Sequence, residues 1–496
     1  MNRALFRLSL ACMVMFVLLL LNINYVQAFE TSKLAGEPGN VRTFYQQFEF
    51  QRGSIVAAGG GQDVTIAESL PDKGSSGMYH RYYPYGAVYA PVTGYASMFG
   101  KTGIEGAEDK YLSGTAPGLA VHNLIGLLTG KAKQGAKVFL TISPRAQQAA
   151  YRALAAEYSS GTGGHSGAAV AIDPSTGAIL AMASYPSFNP NLYATLNGRR
   201  LDRIDRRLRH DPSQPLLNRA IEETYPPGST FKIVTASAAF STGKVASPDT
   251  TFPAPQPLRL PNGNFLNNDA GETCGDGHPP LWFAFAMSCN TAYGGLGIKV
   301  GGPTLRSYAD RFGFNNPSLT TPLAVAPSVF PHITDPSLTA LSSIGQYDDQ
   351  VTPLQEAMLA ATVANGGTLM RPYLVQQVQA PDLSTVSSAH PSVLSRPISA
   401  RVAGYLTTMM TDVTHNPAGT AYATAGPQAT GLDIAGKTGT AETGSSVGLD
   451  DAVFTCFAPA SNPKIAVGVI IKGGGFGADA AAPIAVQIIK AYLGVR

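Results

Sequence analysis

Charge is scarce in this sequence, and what there is nearly cancels. Of 496 residues only 14% are charged, 35 basic against 32 acidic, for a formal net charge of +3. No basic excess offers an electrostatic footprint for nucleic acid, and that class of partner is set aside. Internal repeats and low-complexity tracts are also missing. The 53 Gly and 36 Pro are scattered along the chain, which fits a globular protein with many turns. Cysteine is sparse, at 4 residues, and no His or Cys pair stands at metal-coordinating intervals, so no zinc site is expected. Apolar residues are plentiful at 44%, enough for a large packed core. The length is too great for one ordinary domain and predicts two or three.

The N-terminus carries an address. Arg3 and Arg7 precede an apolar run from Leu8 to Val26, about 19 residues, the length that spans a bilayer core as a helix. Basic residues before the run and Glu30 after it favour an inside N-terminus and an outside remainder. A cleaved signal peptide is the alternative, because Val26-Gln27-Ala28 loosely matches a small-residue cleavage site, and Asn22 and Asn24 weaken the span. On either reading the chain beyond residue 30 works outside the cytoplasm. In an oxidising compartment Cys274 and Cys289 are the candidate disulfide pair, the bland alternative being two buried thiols.

Two regions follow the anchor. Phe29 to Ser160 is rich in turn signals, with Tyr79, Tyr82, Tyr83, Tyr85, Tyr89 and Tyr95 clustered as packing residues. Pro144 to Glu157 has the spacing of an amphipathic helix, and Gly161-Thr162-Gly163-Gly164 reads as a linker or domain entry. Beyond it, apolar runs at Gly167–Ile172 and Ala178–Ser184 flank the turn formers Asp173-Pro174-Ser175-Thr176-Gly177 and predict a hairpin. A second is predicted at Ala452–Ala458 and Lys464–Ile471, with a helix from Pro483 to Leu493 against the sheet. The expected fold class is therefore α/β (α+β), with a largely antiparallel sheet flanked by helices. Expected domains are an N-terminal anchor over residues 1–28, a smaller pedestal over 29–160 and a catalytic domain over 161–496.

The chemistry is easiest to find at Tyr225-Pro226-Pro227-Gly228-Ser229-Thr230-Phe231-Lys232. Ser229 opens a predicted helix from Thr230 to Phe240, and a serine there is ordinarily only a cap. The same position, however, offers unpaired N–H groups and partial positive charge beside a developing oxyanion. Lys232 falls on the same face as Ser229 and, if buried, can serve as general base. Serine and lysine three apart recur at Ser241/Lys244 and Ser461/Lys464, but the first lies at a helix C-terminus and the second in a hairpin turn. Ser288-Cys289-Asn290 supplies a hydroxyl to relay a proton and an amide for a substrate amide and the lysine. Lys437-Thr438-Gly439-Thr440 supplies a cation and a hydroxyl for a carboxylate, with a glycine that lets substrate approach the backbone. Ser187-Phe188-Asn189 and Lys101-Thr102-Gly103 mimic these two triplets in the wrong chain order.

S-x-x-K, S-x-N and K-T-G in that order resemble the signature of the penicillin-binding protein and serine β-lactamase superfamily. Resemblance to class B penicillin-binding proteins, and to their actinobacterial PbpA-like group, covers almost the whole chain. It includes Arg52-Gly53, Gly103-Ile104-Glu105-Gly106, Leu140-Thr141-Ile142, Tyr185-Pro186-Ser187-Phe188-Asn189-Pro190, Ser343-Ile344-Gly345-Gln346 and Thr352-Pro353-Leu354-Gln355. The resemblance implies a penicillin-binding transpeptidase domain in which a stem peptide of peptidoglycan acylates Ser229 through its penultimate D-Ala. Lys232 is then the base and Ser288 the proton relay. Asn290 binds the substrate amide, and Lys437 with Thr438 receives the terminal carboxylate of the peptide or of a β-lactam. Gly439 lies between these and Thr440, whose N–H forms the oxyanion hole with that of Ser229. No metal or organic cofactor is implied. Expected partners are peptidoglycan stem peptides, β-lactam antibiotics, the membrane through the anchor, and proteins of cell-wall synthesis and division. The expected location is a single pass of the cell membrane with the catalytic domain outside. D,D-carboxypeptidase activity and a non-enzymatic β-lactam-binding scaffold are the alternatives. Departures from common family residues stand at Ala452-Val453-Phe454, Cys456 and Tyr347.

Overall fold

The computed structural model describes residues 2–30, 48–61, 63–72, 77–119, 134–160, 166–442 and 450–495. The expected linker at 161–164 lies outside the described residues. The first helix, α1, is Asn2–Tyr25; its stretch Leu5–Tyr25 is long and apolar enough to cross a membrane, with mean hydropathy 2.3 and none of it buried. Strands β1 (Ile55–Ala57), β2 (Val64–Pro71) and β3 (Tyr79–Tyr82) come next, then β4 (Lys137–Leu140) and helix α2 (Pro144–Ser160). The hairpin β5 (Ser166–Ile172) and β6 (Ile179–Tyr185) is joined as its turn residues predict, Asp173 accepting from the Ser175 and Thr176 hydroxyls.

Helix α3 (Lys232–Ser241) carries the first motif, preceded by a 3-10 turn over Gly228–Phe231. Helices α4 (Leu281–Ala286) and α5 (Asn290–Val300) bracket the second. After α6 (Pro353–Ala364) come strands β7 (Val375–Gln379) and β8 (Thr385–Ser388), helix α7 (Ala400–His415), strands β9 (Ala435–Ala441), β10 (Asp451–Ala458) and β11 (Ile465–Lys472), and helix α8 (Ala481–Leu493).

Five strands form one antiparallel sheet in the order β9-β10-β11-β5-β6. Its middle strands are buried along almost their whole length because helices cover both faces: α2 and α8 on one, α6 on the other. A sheet dry on both sides explains why β10 and β11 read as continuous apolar runs rather than alternating ones. Edge strand β9 carries the K-T-G motif and faces the turn before α3.

A second sheet has the order β8-β7-β4-β1-β2-β3. Only β1 and β4 pair in parallel, and the other pairs are antiparallel. Two of its six strands, β7 and β8, come from sequence far beyond residue 160. Thr141 ties the two sheets, its hydroxyl donating to Ile179 O at 2.6 Å and its N–H to Leu374 O at 2.9 Å.

Beneath the N-terminal strands lies a buried ionic cluster. Glu105, with no exposure, accepts from Arg52 at 2.9 Å, from Arg81 at 2.5 Å and from the Tyr83 hydroxyl at 3.2 Å. Burial alone raises a carboxyl pKa, but Arg81 and Arg52 more than reverse it and hold Glu105 below its ordinary value. Asp109 completes the cluster, bonded to Arg52 at 2.6 Å and to Lys101 at 2.9 Å. The Tyr cluster belongs to this packing, with Tyr83 and Tyr89 buried and Tyr95 stacked on Tyr193 at 3.8 Å between ring centres. Replacing Glu105 by Ala leaves two guanidinium groups buried without their shared anion. Such a loss destabilises by about 3–5 kcal/mol, and denaturant unfolding of the variant against the parent measures it.

Candidate active site

Three segments distant in sequence meet at the first turn of α3. Pro226, Pro227 and Gly228 turn the chain so sharply that Gly228 takes φ +55°, and a Cβ there would stand 2.6 Å from Thr440 O on β9. The same tight approach explains Gly439. A Cβ at that position would meet Pro227 O at 2.8 Å and Thr230 Cγ2 at 3.2 Å. What comes close at Gly439 is thus the turn that carries Ser229, and with it the backbones of Ser229 and Thr440 are drawn together. Gln346 holds the strand end, donating to Thr440 O at 3.0 Å.

Ser229 is 8% exposed and Lys232 is fully buried. The 3-10 geometry keeps the two residues three apart on one face, as the spacing predicts, although the α-helix proper begins only at Lys232. Lys232 Nζ donates to Ser288 O at 2.5 Å, to Ser288 Oγ at 3.2 Å and to Asn290 Oδ1 at 2.7 Å. Burial and the neighbouring Lys437 push the Lys232 amine well below its ordinary value, with Asp269 opposing them. An amine in that condition releases its proton readily, as a base near neutral pH must. Ser288 adopts φ +62° between α4 and α5, a conformation uncommon for a residue with a Cβ. That turn brings both its carbonyl and its hydroxyl to the lysine.

Lys437 is buried too, and its Nζ donates to Thr438 O at 2.9 Å and lies 5.6 Å from the centre of the Phe285 ring. Burial lowers it to about 7, again opposed by Asp269. Thr438 shares a hydrogen bond with Thr420, Oγ1 to Oγ1 at 2.6 Å. Cys274 and Cys289 are joined as a disulfide that ties the middle residue of the S-x-N tripeptide to the segment before α4.

The mimics fall elsewhere. Ser241 and Lys244 are exposed at the far end of α3, Ser461 lies in the β10–β11 turn, and Lys101 pairs with Asp109 in the N-terminal cluster. A cleft of about 470 Å³ is lined by Tyr95, Lys101, Phe188, Arg209 and Asn218 and includes no residue of the three motifs. Among the described residues no group of His, Cys, Asp and Glu is placed to hold a metal ion.

Residues 167–490 match the penicillin binding protein transpeptidase domain, and residues 52–138 the penicillin binding protein A dimerisation domain. The chain belongs to the penicillin-binding protein family. It is 42% identical over 99% of both chains to a Mycolicibacterium smegmatis protein named peptidoglycan D,D-transpeptidase PbpA. The Mycobacterium tuberculosis protein of the same name is 41% identical, also over 99% of each chain. The ceftriaxone acyl-enzyme complex of M. tuberculosis penicillin-binding protein A matches with TM-score 0.83 at 40% identity, covering 90% of this chain and 100% of that one. The penicillin G acyl-enzyme complex matches with TM-score 0.82 at 41% identity, covering 89% and 99%.

In this penicillin-binding protein the fold class is the expected one: a mixed α/β domain with an antiparallel sheet between helices, an N-terminal domain and an apolar N-terminal helix. Three contributors carry no motif. Thr420 reaches Thr438, Asp269 accepts from Asn290 Nδ2 at 2.9 Å, and Glu356 stands beneath the turn that carries Ser229. Of these only the last left a trace in the sequence, an acidic residue inside the apolar run of α6. Cys456, one of the departures from family residues, is a buried free thiol of β10 that burial pushes up, and Tyr347 is exposed.

Glu356 Oε1 lies 2.8 Å from Thr230 Oγ1, which is also 2.8 Å from Pro227 O. One hydroxyl proton cannot serve both acceptors, and Oε2 has no partner. A neutral carboxyl resolves this: Glu356 donates to Thr230, and Thr230 donates to Pro227. Burial accordingly raises Glu356 to about 8 from 4.5. Between those values the unfolded chain has released a proton that the folded chain retains, so stability falls as pH rises through the window. Glu356→Gln keeps a donor for Thr230 and removes the titration. Its unfolding free energy relative to the parent should climb from pH 4.5 to pH 8, by an amount on the order of 5 kcal/mol, read from denaturant unfolding at each pH.

Proposed function

We propose that this penicillin-binding protein is a peptidoglycan D,D-transpeptidase acting through an acyl-enzyme on Ser229. One observation carries the reading: a fully buried lysine, depressed in pKa, whose hydrogen bonds end on Ser288 and Asn290 one turn from a buried serine.

The steps follow from that geometry. Ser229 Oγ attacks the carbonyl carbon of the penultimate D-Ala and gives up its proton to neutral Lys232. Negative charge on the carbonyl oxygen is met by the N–H groups of Ser229 and Thr440, aided by the positive end of the turn that opens α3. Collapse breaks the C–N bond, and the proton passes from Lys232 through Ser288 Oγ, 3.2 Å away, to the departing D-Ala amine. An acceptor stem peptide then attacks the ester with its own amine, losing a proton along the same path in reverse and restoring Ser229. Asn290 binds the amide of the donor peptide. Lys437 and Thr438 receive its terminal carboxylate. A β-lactam follows the first half of this course. Its leaving nitrogen stays tethered after ring opening, and the acyl-enzyme persists.

The proposed organisation is an anchor over residues 1–28, a pedestal over 29–160 and a transpeptidase domain over 161–496, crossing the membrane once with the catalytic domain outside. Support comes from the apolar helix at Leu5–Tyr25 and the basic residues before it. On this reading the pedestal docks proteins of cell-wall synthesis and division. Intact mass of protein extracted from membranes tests the anchor: residues 1–28 are retained if it is uncleaved, and a mature chain starting near Phe29 would refute it.

Labelling with a fluorescent penicillin tests the chemistry. The parent should form a stable adduct and Ser229→Ala none. Equal labelling of both would mean that another residue is the nucleophile. Failure of the parent to label, without drug hydrolysis, would favour the scaffold alternative. On peptide donors, release of D-Ala with transfer to an added amine separates transpeptidase from carboxypeptidase.

A further inference from the structure

The last two residues of the S-x-N tripeptide and the residue that follows it are clamped to a loop that carries none of the family motifs. Cys289 is bonded to Cys274 through the disulfide. Asn290 Nδ2 donates to Asp269 Oδ1 at 2.9 Å. The Thr291 N–H donates to Asn268 Oδ1 at 2.9 Å, and Asn268 in turn donates to Glu272 O at 2.9 Å. Three consecutive residues at the start of α5 thus each have a partner in the segment 268–274.

We infer that Asp269 is a positioning residue that fixes the amide of Asn290 throughout the catalytic cycle, and that the loop 268–274 exists at this site to hold it there. The inference rests on the acyl-enzyme reading of Ser229 and Lys232. Its logic is one of donors and acceptors. Asn290 Oδ1 accepts from Lys232, which leaves Nδ2 with two hydrogens, one for Asp269 and one for the donor peptide's carbonyl. While Lys232 carries three protons, a flipped Asn290 would press its NH2 against an ammonium, and the lysine alone suffices to set the orientation. When Lys232 is neutral, as it must be to accept the Ser229 proton, its amine has a lone pair and tolerates either end of the amide. Asp269 does not. A carboxylate accepts and never donates, so it refuses the amide oxygen whatever the state of the lysine. The Asp269 carboxylate therefore preserves the substrate-binding hydrogen when the lysine stops enforcing it.

Asp269 acts on charge as well as on geometry. Lys437 from β9 and burial both disfavour the protonated form of Lys232, the Tyr293 ring of α5 lies 5.6 Å from its Nζ, and Asp269 favours the protonated form. Asp269 acts likewise on Lys437, and after burial and Asp450 it also helps to raise the Glu442 carboxyl just past β9. Removing the carboxylate therefore eases deprotonation of Lys232 while releasing Asn290.

The test is the second-order rate of acylation of the full-length protein by a fluorescent penicillin, followed from about pH 5 to pH 9. Asp269→Ala should slow acylation about tenfold or more. Asp269→Asn, which keeps an acceptor oxygen without the charge, should lose less. In both, the rising acid limb of the profile should move to lower pH, a shift that loss of structure alone does not produce. Should the alanine variant fail to fold, the nearly isosteric asparagine variant decides the matter. Failure of the parent itself to label defeats the Ser229 reading on which the inference rests. A labelled parent with a foldable variant within about twofold of it, or slowed with its acid limb unmoved, overturns the role of Asp269 alone.

Discussion

Everything at the active site depends on keeping one ammonium group out of water. Lys232 is fully buried, and an unpaired charge there would cost several kcal/mol. The surrounding atoms pair it: a carbonyl and a hydroxyl from Ser288 and an amide oxygen from Asn290. Those acceptors are in place because Ser288 accepts an unfavourable backbone conformation and because α5 starts two residues later, at Asn290. The site is consequently poised rather than relaxed. A second lysine nearby and the dry surroundings favour proton loss, while the hydrogen bonds and Asp269 favour retention.

The wall behind Ser229 shows a second, quieter use of protonation. Glu356 sits on the helix covering one face of the five-stranded sheet and reaches Thr230, the residue after Ser229. The Thr455 hydroxyl of β10 donates to Glu356 O at 2.6 Å, so the same residue also fastens α6 to the sheet. A neutral acid there gives the turn that holds Ser229 a directional brace without adding another charge to a site already crowded with them.

The catalytic segments were legible in the sequence for reasons that are local. Pro226, Pro227 and Gly228 announce a sharp turn before Ser229, and spacing alone puts Lys232 beneath it. Asp173-Pro174-Ser175-Thr176-Gly177 marks its hairpin as plainly, because side-chain acceptors and a glycine are what such a turn requires. Helix boundaries followed apolar spacing closely enough to place Pro144–Ser160 and Ala481–Leu493. Contacts made across long stretches of chain left no such trace. Nothing near Asp269 reveals that its carboxylate will meet Asn290, and nothing in Val375–Gln379 reveals that it will pair with Lys137–Leu140. The 3-10 turn at Gly228–Phe231 was equally hidden, since it is imposed by the approach of β9 rather than by propensity.

That last pairing has a mechanical side. Because β7 lies against β4, and β4 against β1, the N-terminal strands and the catalytic half share one hydrogen-bonded sheet instead of meeting only through a linker. Tension applied at the N-terminal end enters this sheet at its middle, at β1, with strands on both sides. Such a load is borne in shear by several backbone hydrogen bonds at once, and it reaches the neighbourhood of β6 through Thr141 and Tyr373 without passing along the covalent chain. A pull on β1 would thus be shared between the N-terminal strands and the catalytic half rather than carried by a single stretch of backbone.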